Sequence, residues 1–379
     1  MKLAIPRIQL VFVLLFLTCT SSWAGPPEVC SAPGAPPLVS FLRVEEPLDF
    51  CGEAVPIREP EVRERLEKEL LLVLGNQAQV VLWLKRSGRY MPYIEETLRA
   101  AGLPDDLKHM VIAESALLPH AGSSKGATGY WQFMEATGRN YGLRITPERD
   151  ERRSIFSSTE AAVRYLKKLY KELGSWTLAA AAYNMGEEGL KAEILVQKAN
   201  DYYRLYLPLE TQQYLFRIIA AKLILSSPEK YGFKMAKEDL YPPLEFDSVK
   251  VDCPTDVPLS VIAGAAGTWF KVVKDLNPEI RGYYLPRGTH SLRIPKGSAP
   301  GFETRFEDLR RQWLHESKTH TYEVKTGDTL SSIAERFHVP LPALLIWNRL
   351  HGTKAITPGD RLIVLPGMIK PSQDHSEKQ

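Results

Sequence analysis

Residues Leu103 to Leu143 read LPDDLKHMVIAESALLPHAGSSKGATGYWQFMEATGRNYGL. The segment opens as a short helix: Pro104 suits a first helical turn, and Asp105 and Asp106 complement the positive end of the helix dipole. Leu107, Met110, Val111 and Glu114 fall at i, i+3, i+4 and i+7, on one face. A carboxylate therefore stands where a core residue is expected. Burial penalises the charged form, so such a group is driven towards the neutral acid and its pKa rises. That prepares a general acid for work near neutral pH. The plainer alternative is a helix-end Glu that bends out to solvent.

On either side of this segment the chain is helical. Periodicity begins near Glu61 and runs to about Ser226, with Leu66, Leu70, Val73 and Leu74 as one stripe, then Val80, Val81 and Leu84. A second helix is predicted over Tyr90–Ala101. Gly122, Gly126, Gly129 and Gly138 break the chain into a loop, with a short central helix predicted around Trp131–Met134. Ser157 and Glu160 are spaced as a capping box for the next helix, which Gly174 ends. Further helices are expected over Trp176–Tyr183 and Thr211–Leu225. Before them, residues 25–60 are rich in Pro and Gly and read as a linker or an arm laid over a domain.

The 379 residues suffice for two or three domains. A net charge of +3 is too balanced to suggest nucleic acid and does not oppose an anionic substrate. Lys2 and Arg7, the apolar run Leu10–Leu17 and Ser22-Trp23-Ala24 read as a secretory signal over residues 1–24, too short to span a bilayer. Export is expected, by cleavage after Ala24 or with lipidation at Cys19; association with the outer membrane depends on which. Cleavage leaves Cys30, Cys51 and Cys253 in an oxidising compartment. Cys30 with Cys51 would close a loop worth about 3 kcal/mol, and Cys51 with Cys253 would tie the arm to a later domain. No His/Cys/Asp cluster has metal-ligand spacing, so neither metal nor cofactor is expected.

Past Tyr231 short β-type runs appear at Leu244–Val251 and Ser291–Ile294. A connecting helix is predicted within 298–319, followed by Tyr322-Glu323-Val324, a helical pair from Leu330 to Asn348 and a strand at Arg361–Leu365. These last elements form a β-α-α-β unit over 320–367, with a polar tail at 368–379. Residues 245–297 repeat it: Leu259-Ser260-Val261-Ile262-Ala263 aligns with Leu330-Ser331-Ser332-Ile333-Ala334, and the same offset puts Leu276-Asn277 on Trp347-Asn348. The first copy has Asp256-Val257-Pro258 where the second has Gly327-Asp328-Thr329.

Together these residues resemble the lytic transglycosylases of the goose-type lysozyme-like superfamily, and most closely their membrane-bound type D group. Glu114-Ser115 matches the family's catalytic pair. Ser123, Gly126-Ala127 and Gly129-Tyr130-Trp131-Gln132-Phe133-Met134 follow at the family's spacing, then Ala182-Tyr183-Asn184-Met185-Gly186, then Leu207-Pro208-Leu209-Glu210-Thr211 with Tyr214. Leu118, Tyr130, Glu135 and Met185 depart from the usual residues. The segment Thr321–Leu365 resembles a LysM module, and 245–297 a degenerate one. The expected architecture is multidomain: a mainly α, lysozyme-like catalytic domain over 61–232, then small α+β (βααβ) LysM-type units.

The resemblance implies a murein-cleaving enzyme of the cell envelope acting on peptidoglycan glycan strands. Glu114 would protonate the bond between N-acetylmuramic acid and N-acetylglucosamine, then act as base while the muramoyl 6-hydroxyl closes a 1,6-anhydro ring. Glycosidases of the usual kind need two carboxylates; only Glu114 falls in a recognisable motif here. By resemblance Ser115, Gln132, Tyr183, Asn184 and Tyr214 line or orient the substrate site. Gly327, Asp328, Thr329, Ile356 and Pro358 are the expected LysM glycan contacts. The rivals are a hydrolytic muramidase of the same fold and an inactive glycan-binding scaffold.

Overall fold

The computed structural model describes residues 38–350 and 356–365. The signal segment, Cys19, Cys30 and the polar tail lie outside them. The arm enters through a hairpin of β1 (Asp49–Phe50) and β2 (Glu53–Ala54). It is laid over the helices: Leu48, Phe50, Val55 and Ile57 are buried in their core. Glu53 reaches across to the next layer, its carboxylate accepting from the backbone N–H of Thr177 (3.0 Å) and of Trp176. The orphan donors of that helix start are thereby satisfied from the arm.

The helices are α1 (Pro60–Gly75), α2 (Gln77–Ala100), α3 (Met110–Ser115), α4 (Glu135–Asn140), α5 (Ile155–Leu173), α6 (Trp176–Met185), α7 (Glu187–Gln197) and α8 (Leu209–Ser226). Two expectations are corrected at α2. The Val80–Leu84 stripe and the segment from Tyr90 form one helix, separated from α1 at Asn76, whose side chain caps it by accepting from Gln79 N. Pro92 sits inside α2; Gly88, four residues before it, is where the 240–241 segment packs on the helix, since a Cβ there would come within 2.8 Å of Leu240 and of Tyr241 O. No helix forms over Trp131–Met134, because Gln132 is left-handed at φ 47° and the chain turns there; α4 starts one residue later. The cap of α5 is Ser154, which accepts from Ser157 N, rather than Ser157 itself. Helix α7 escaped the periodicity reading, since Leu190 is its one buried residue.

Helix α8 is the central strut. Leu215, Phe216, Ile218, Ile219, Ala220 and Ala221 are all buried, an apolar surface nearly all round. Ala179–Ala182 of α6 are fully buried beside it, small side chains that let the two helices approach closely. Each fully buried Leu, Ile or Phe contributes about 1.5–3 kcal/mol, so the α3–α8 contact at the centre of this core is firmly set.

Two smaller units follow. The first pairs β3 (Phe246–Cys253) antiparallel with β6 (Gly288–Pro295), and β4 (Val257–Pro258) with β5 (Tyr284–Leu285), around α9 (Leu259–Ala265) and α10 (Phe270–Leu276). Helix α11 (Phe302–Thr319) packs Phe302 and Phe306 into that unit's core. The second has β7 (Thr321–Glu323) paired with β8 (Arg361–Ile363), around α12 (Leu330–Arg336) and α13 (Leu341–Trp347). The helix pairs coincide residue for residue at one offset, Leu259 answering to Leu330 and Leu276 to Trp347. Each unit hangs on one asparagine. Asn277 donates to Val273 O and Arg293 O and accepts from Arg293 N; Asn348 donates to Leu344 O and Ile363 O and accepts from Ile363 N. Of the two pairings considered for Cys51, the one to Cys253 is not made: Cys51 lies in the arm's turn and Cys253 in the first unit's core, and neither is bonded among the described residues; the pairing with Cys30 lies outside them. No described helix is long and apolar enough to cross a membrane.

Candidate active site

Helix α3 is only six residues long and ends abruptly, with Ala116 (φ 52°) and Leu117 (φ 61°) both left-handed. Such backbone is costly for residues with a Cβ and persists only where its surroundings hold it. Arg86 of α2 supplies one clamp, donating to Ala116 O at 3.0 Å. Ser115 supplies another. It is 7% exposed, and its hydroxyl reaches Tyr130 O at 2.6 Å. The structure therefore places Ser115 as a tie between α3 and the following loop, not on an open sugar-binding wall.

Glu114 keeps part of its side chain open to solvent while its carboxyl is enclosed. Burial is the main influence and pushes its pKa up to about 7; the Tyr214 hydrogen bond and the Arg217 charge pull the other way, and Glu210 adds to the rise. Tyr214, from α8 and 2% exposed, donates to Glu114 Oε1 at 2.5 Å. One carboxyl raised towards neutrality is thus held by one phenol.

The loop between α3 and α4 forms the opposite wall. Gln132 Nε2 donates to Gly129 O (2.8 Å) and Ala121 O (3.1 Å), which leaves its Oε1 as the atom able to accept from a ligand. Tyr183 of α6 donates to Trp131 O at 2.7 Å; burial and then the Glu114 charge drive its own pKa well up. Asn184 accepts from Thr211 Oγ1 at 2.8 Å and retains its amide donors. Trp131 and Phe133 are core residues, as the sequence suggests, whereas Met134 is exposed. Tyr130 does not reshape the cleft: it is buried edge-on against Tyr90 at 5.3 Å.

This loop is anchored from behind. Arg152 forms a bidentate pair with Asp150 (2.9 and 2.8 Å) and donates to Gly126 O and Phe133 O, both at 3.2 Å. Burial raises the Asp150 pKa, but the Arg152 hydrogen bonds and charge outweigh it and hold the carboxyl below its usual value. At Gly129 (φ 83°) a Cβ would come within 1.9 Å of Arg152 O, so only glycine fits. The Asp150 segment is in turn seated on the first βααβ unit. Asp150 N donates to Glu279 O and Arg281 N to Glu148 O, both at 2.7 Å. Glu279, 1% exposed, takes Arg293 at 2.5 Å and Arg149 at 3.5 Å.

The sequence reading missed Arg86, Arg217, Glu69 and Glu279. Glu69 was findable: with Leu66, Leu70 and Val73 it falls at i, i+3, i+4 and i+7, the signal that marked Glu114. It is buried, and Arg217 Nε donates to it at 3.4 Å. In the second small unit Asp328 is drawn inward, its side chain 7% exposed and accepting from Tyr322 OH (2.6 Å) and Lys325 N (2.8 Å). Thr329 caps α12. The Gly327–Thr329 turn thus presents its backbone and Gly327, with Pro358 exposed and Ile356 half-buried. Among the described residues no group of three His, Cys, Asp or Glu is arranged to hold a metal ion.

A helical core that encloses the Glu114 carboxyl beneath Tyr214, followed by two βααβ units, is matched by families of the lytic transglycosylase class. The Transglycosylase SLT domain family matches residues 91–205, and the LysM domain family matches residues 322–365. The chain is 31% identical over 332 residues to the membrane-bound lytic murein transglycosylase D of Escherichia coli strain K12, covering 84% of this chain and 72% of that protein. The protein of that name from strain CFT073 gives the same figures. This chain belongs to the membrane-bound lytic murein transglycosylase D family, and it is an enzyme of the lytic transglycosylase class. It also resembles the solved 70 kDa soluble lytic transglycosylase from Escherichia coli, at 18% identity and a TM-score of 0.35, over 49% of this chain and 38% of that one.

Proposed function

We propose that this enzyme cleaves the β-1,4 bond between N-acetylmuramic acid and N-acetylglucosamine of peptidoglycan without water, leaving 1,6-anhydromuramoyl ends. Glu114 carries the reading: a carboxyl raised to about 7 is protonated in a large fraction of molecules at neutral pH and can serve as acid and then base. The proton passes from Glu114 to the glycosidic oxygen as the bond to C1 breaks. The substrate's acetamido group carries the developing positive charge. Glu114, now ionised, takes the proton of the 6-hydroxyl as its oxygen bonds to C1. The route asks for no second catalytic carboxylate. Glu210, the acid whose charge reaches Glu114, stands exposed and faces Lys125 at 3.8 Å.

Tyr214 holds Glu114, Ser115 orients it through the Tyr130 backbone, and Gln132, Tyr183 and Asn184 line the sugar side. The LysM turn at Gly327–Thr329, with Ile356 and Pro358, holds glycan as a tether. The protein works in the cell envelope after export. Mass spectrometry of digested murein is the deciding measurement. Products one water lighter, without new reducing ends, are expected, and Glu114→Gln should lower turnover by about 10²–10⁴-fold with murein binding retained. Reducing-end products would establish the hydrolytic rival; cellular effects that survive Glu114→Gln would establish the scaffold.

A further inference from the structure

A cleft of about 1040 Å³ lies away from Glu114, between the first βααβ unit, α11 and the LysM unit. Its base is a fixed joint. Arg349 of the LysM unit pairs with Asp256 of the first unit and lies over the Tyr284 ring at 4.6 Å, while Tyr284 OH donates to Trp347 O at 3.2 Å. Around this joint the lining is cationic: Arg287 from the first unit, Lys318 from α11 and Arg361 from β8 are all exposed, and none forms an ion pair among the described residues. Glu323 is the one acid in the lining besides Asp256. Trp313 forms an aromatic wall beside them. Ser317, also in the lining and nearly buried, has a hydroxyl with no hydrogen-bond partner among the described residues. An orphaned buried hydroxyl is rare and calls for an explanation.

The geometry points to this cleft as a binding site for a net-acidic peptide, the carboxylate-bearing stem that hangs from the glycan, held by Arg287, Lys318 and Arg361. Cations facing one another from three elements suit a chain passing between them, rather than the flat plane of a lipid surface. Glu323 among them suits a peptide that carries an amine as well as carboxylates. The joint at Arg349 and the strands β7 and β8 that line the cleft belong to the LysM unit, so one glycan strand can place sugar on the module and peptide in the cleft. The inference rests on the murein reading above.

Full-length Glu114→Gln protein gives the test, since bound chains stay uncut. Two probes are compared: soluble murein chains bearing stem peptides, and chains of matched length with the stems removed. Tighter binding of the stem-bearing chains is expected. The pair Arg287→Glu and Arg361→Glu should remove about ten-fold in affinity for them and leave stem-free binding unchanged, with the thermal midpoint unmoved. Lys318→Glu, on the exposed face of α11, gives an independent reading of the same loss should the double variant unfold. Equal affinity for both probes, or equal loss with both, would overturn the inference while leaving the murein reading standing. Loss of binding to vesicles of anionic phospholipid in place of the stem-bearing chains would reassign the cleft to a membrane. Failure to bind either chain would remove the murein reading, and this inference with it.

Discussion

The two βααβ units are built on one plan and put to different ends. Their helices start and stop at matching positions, and Asn277 and Asn348 make the same three hydrogen bonds. The first has eight-residue strands and the second three-residue strands. The first also turns its α10–β5 loop, through Glu279 and Arg281, into the segment that anchors the catalytic loop. One copy of this plan has been fused into the enzyme's frame through its α10–β5 loop, while the other meets the first copy at the Arg349 joint, and it is the loops, not the helices, that separate the two.

The sharpest way to break this contrast is Glu279→Ala. It leaves Arg293, its side chain only 16% exposed, without an ion-pair partner and Arg149 with Glu151 alone at 3.2 Å, and should cost about 3 kcal/mol. Turnover should fall with it. The pH at which activity declines should stay near 7, because burial within the catalytic domain raises the carboxyl and the groups that modulate it, Tyr214, Arg217 and Glu210, all lie outside the first unit. A variant as stable and active as wild type would make the first unit a passive spacer.

The next effect belongs to the catalytic domain alone and shows what the first unit does not control. Glu114 has a folded pKa of about 7 against 4.5 unfolded, so the folded state binds more protons between those values and wild type loses stability as pH rises through them. Glu114→Gln removes that dependence. Its stability advantage over wild type should grow from pH 4.5 to 7, reach up to about 3 kcal/mol and then level off, as chemical denaturation at several pH values will show. An advantage that is constant with pH would mean the carboxyl titrates normally.

Asn277→Ala and Asn348→Ala test the shared plan. Each should cost about 2 kcal/mol by orphaning buried backbone groups. The first should loosen the catalytic loop as well, seen as faster amide exchange at 126–133; the second should affect the LysM unit only. The smallest effect is expected from removing residues beyond Lys318: roughly ten-fold weaker binding to whole sacculi, with cleavage of short soluble glycans kept. Loss of that cleavage would place the second unit inside the catalytic frame too.

Much of this was readable from the chain. Periodicity made Glu114 a candidate buried acid and the motifs downstream narrowed it; the same spacing at Glu69 yields only a buried partner for Arg217. The repeat was visible because two helices and an asparagine recur at a constant offset. What escaped has physical causes. Residues 131–134 are apolar and look helical, but Gln132 turns left-handed to give two amide hydrogen bonds to the loop. Arg86 and Glu279 act across long sequence separations, on backbone carbonyls and buried guanidinium groups, and no local pattern announces such partners. Asp328 was singled out by its motif, but the structure spends its carboxylate inside the turn.

Helix α11 deserves a last consequence. Its Phe302 and Phe306 are sunk into the first unit, and β7 begins two residues after its end, so no slack cord joins cutter to anchor. An enzyme on a loose leash would graze its surroundings at random. With the anchor engaged, this one would reach only bonds at a set stride from its foothold, and the fragments left behind would carry that stride as a preferred length.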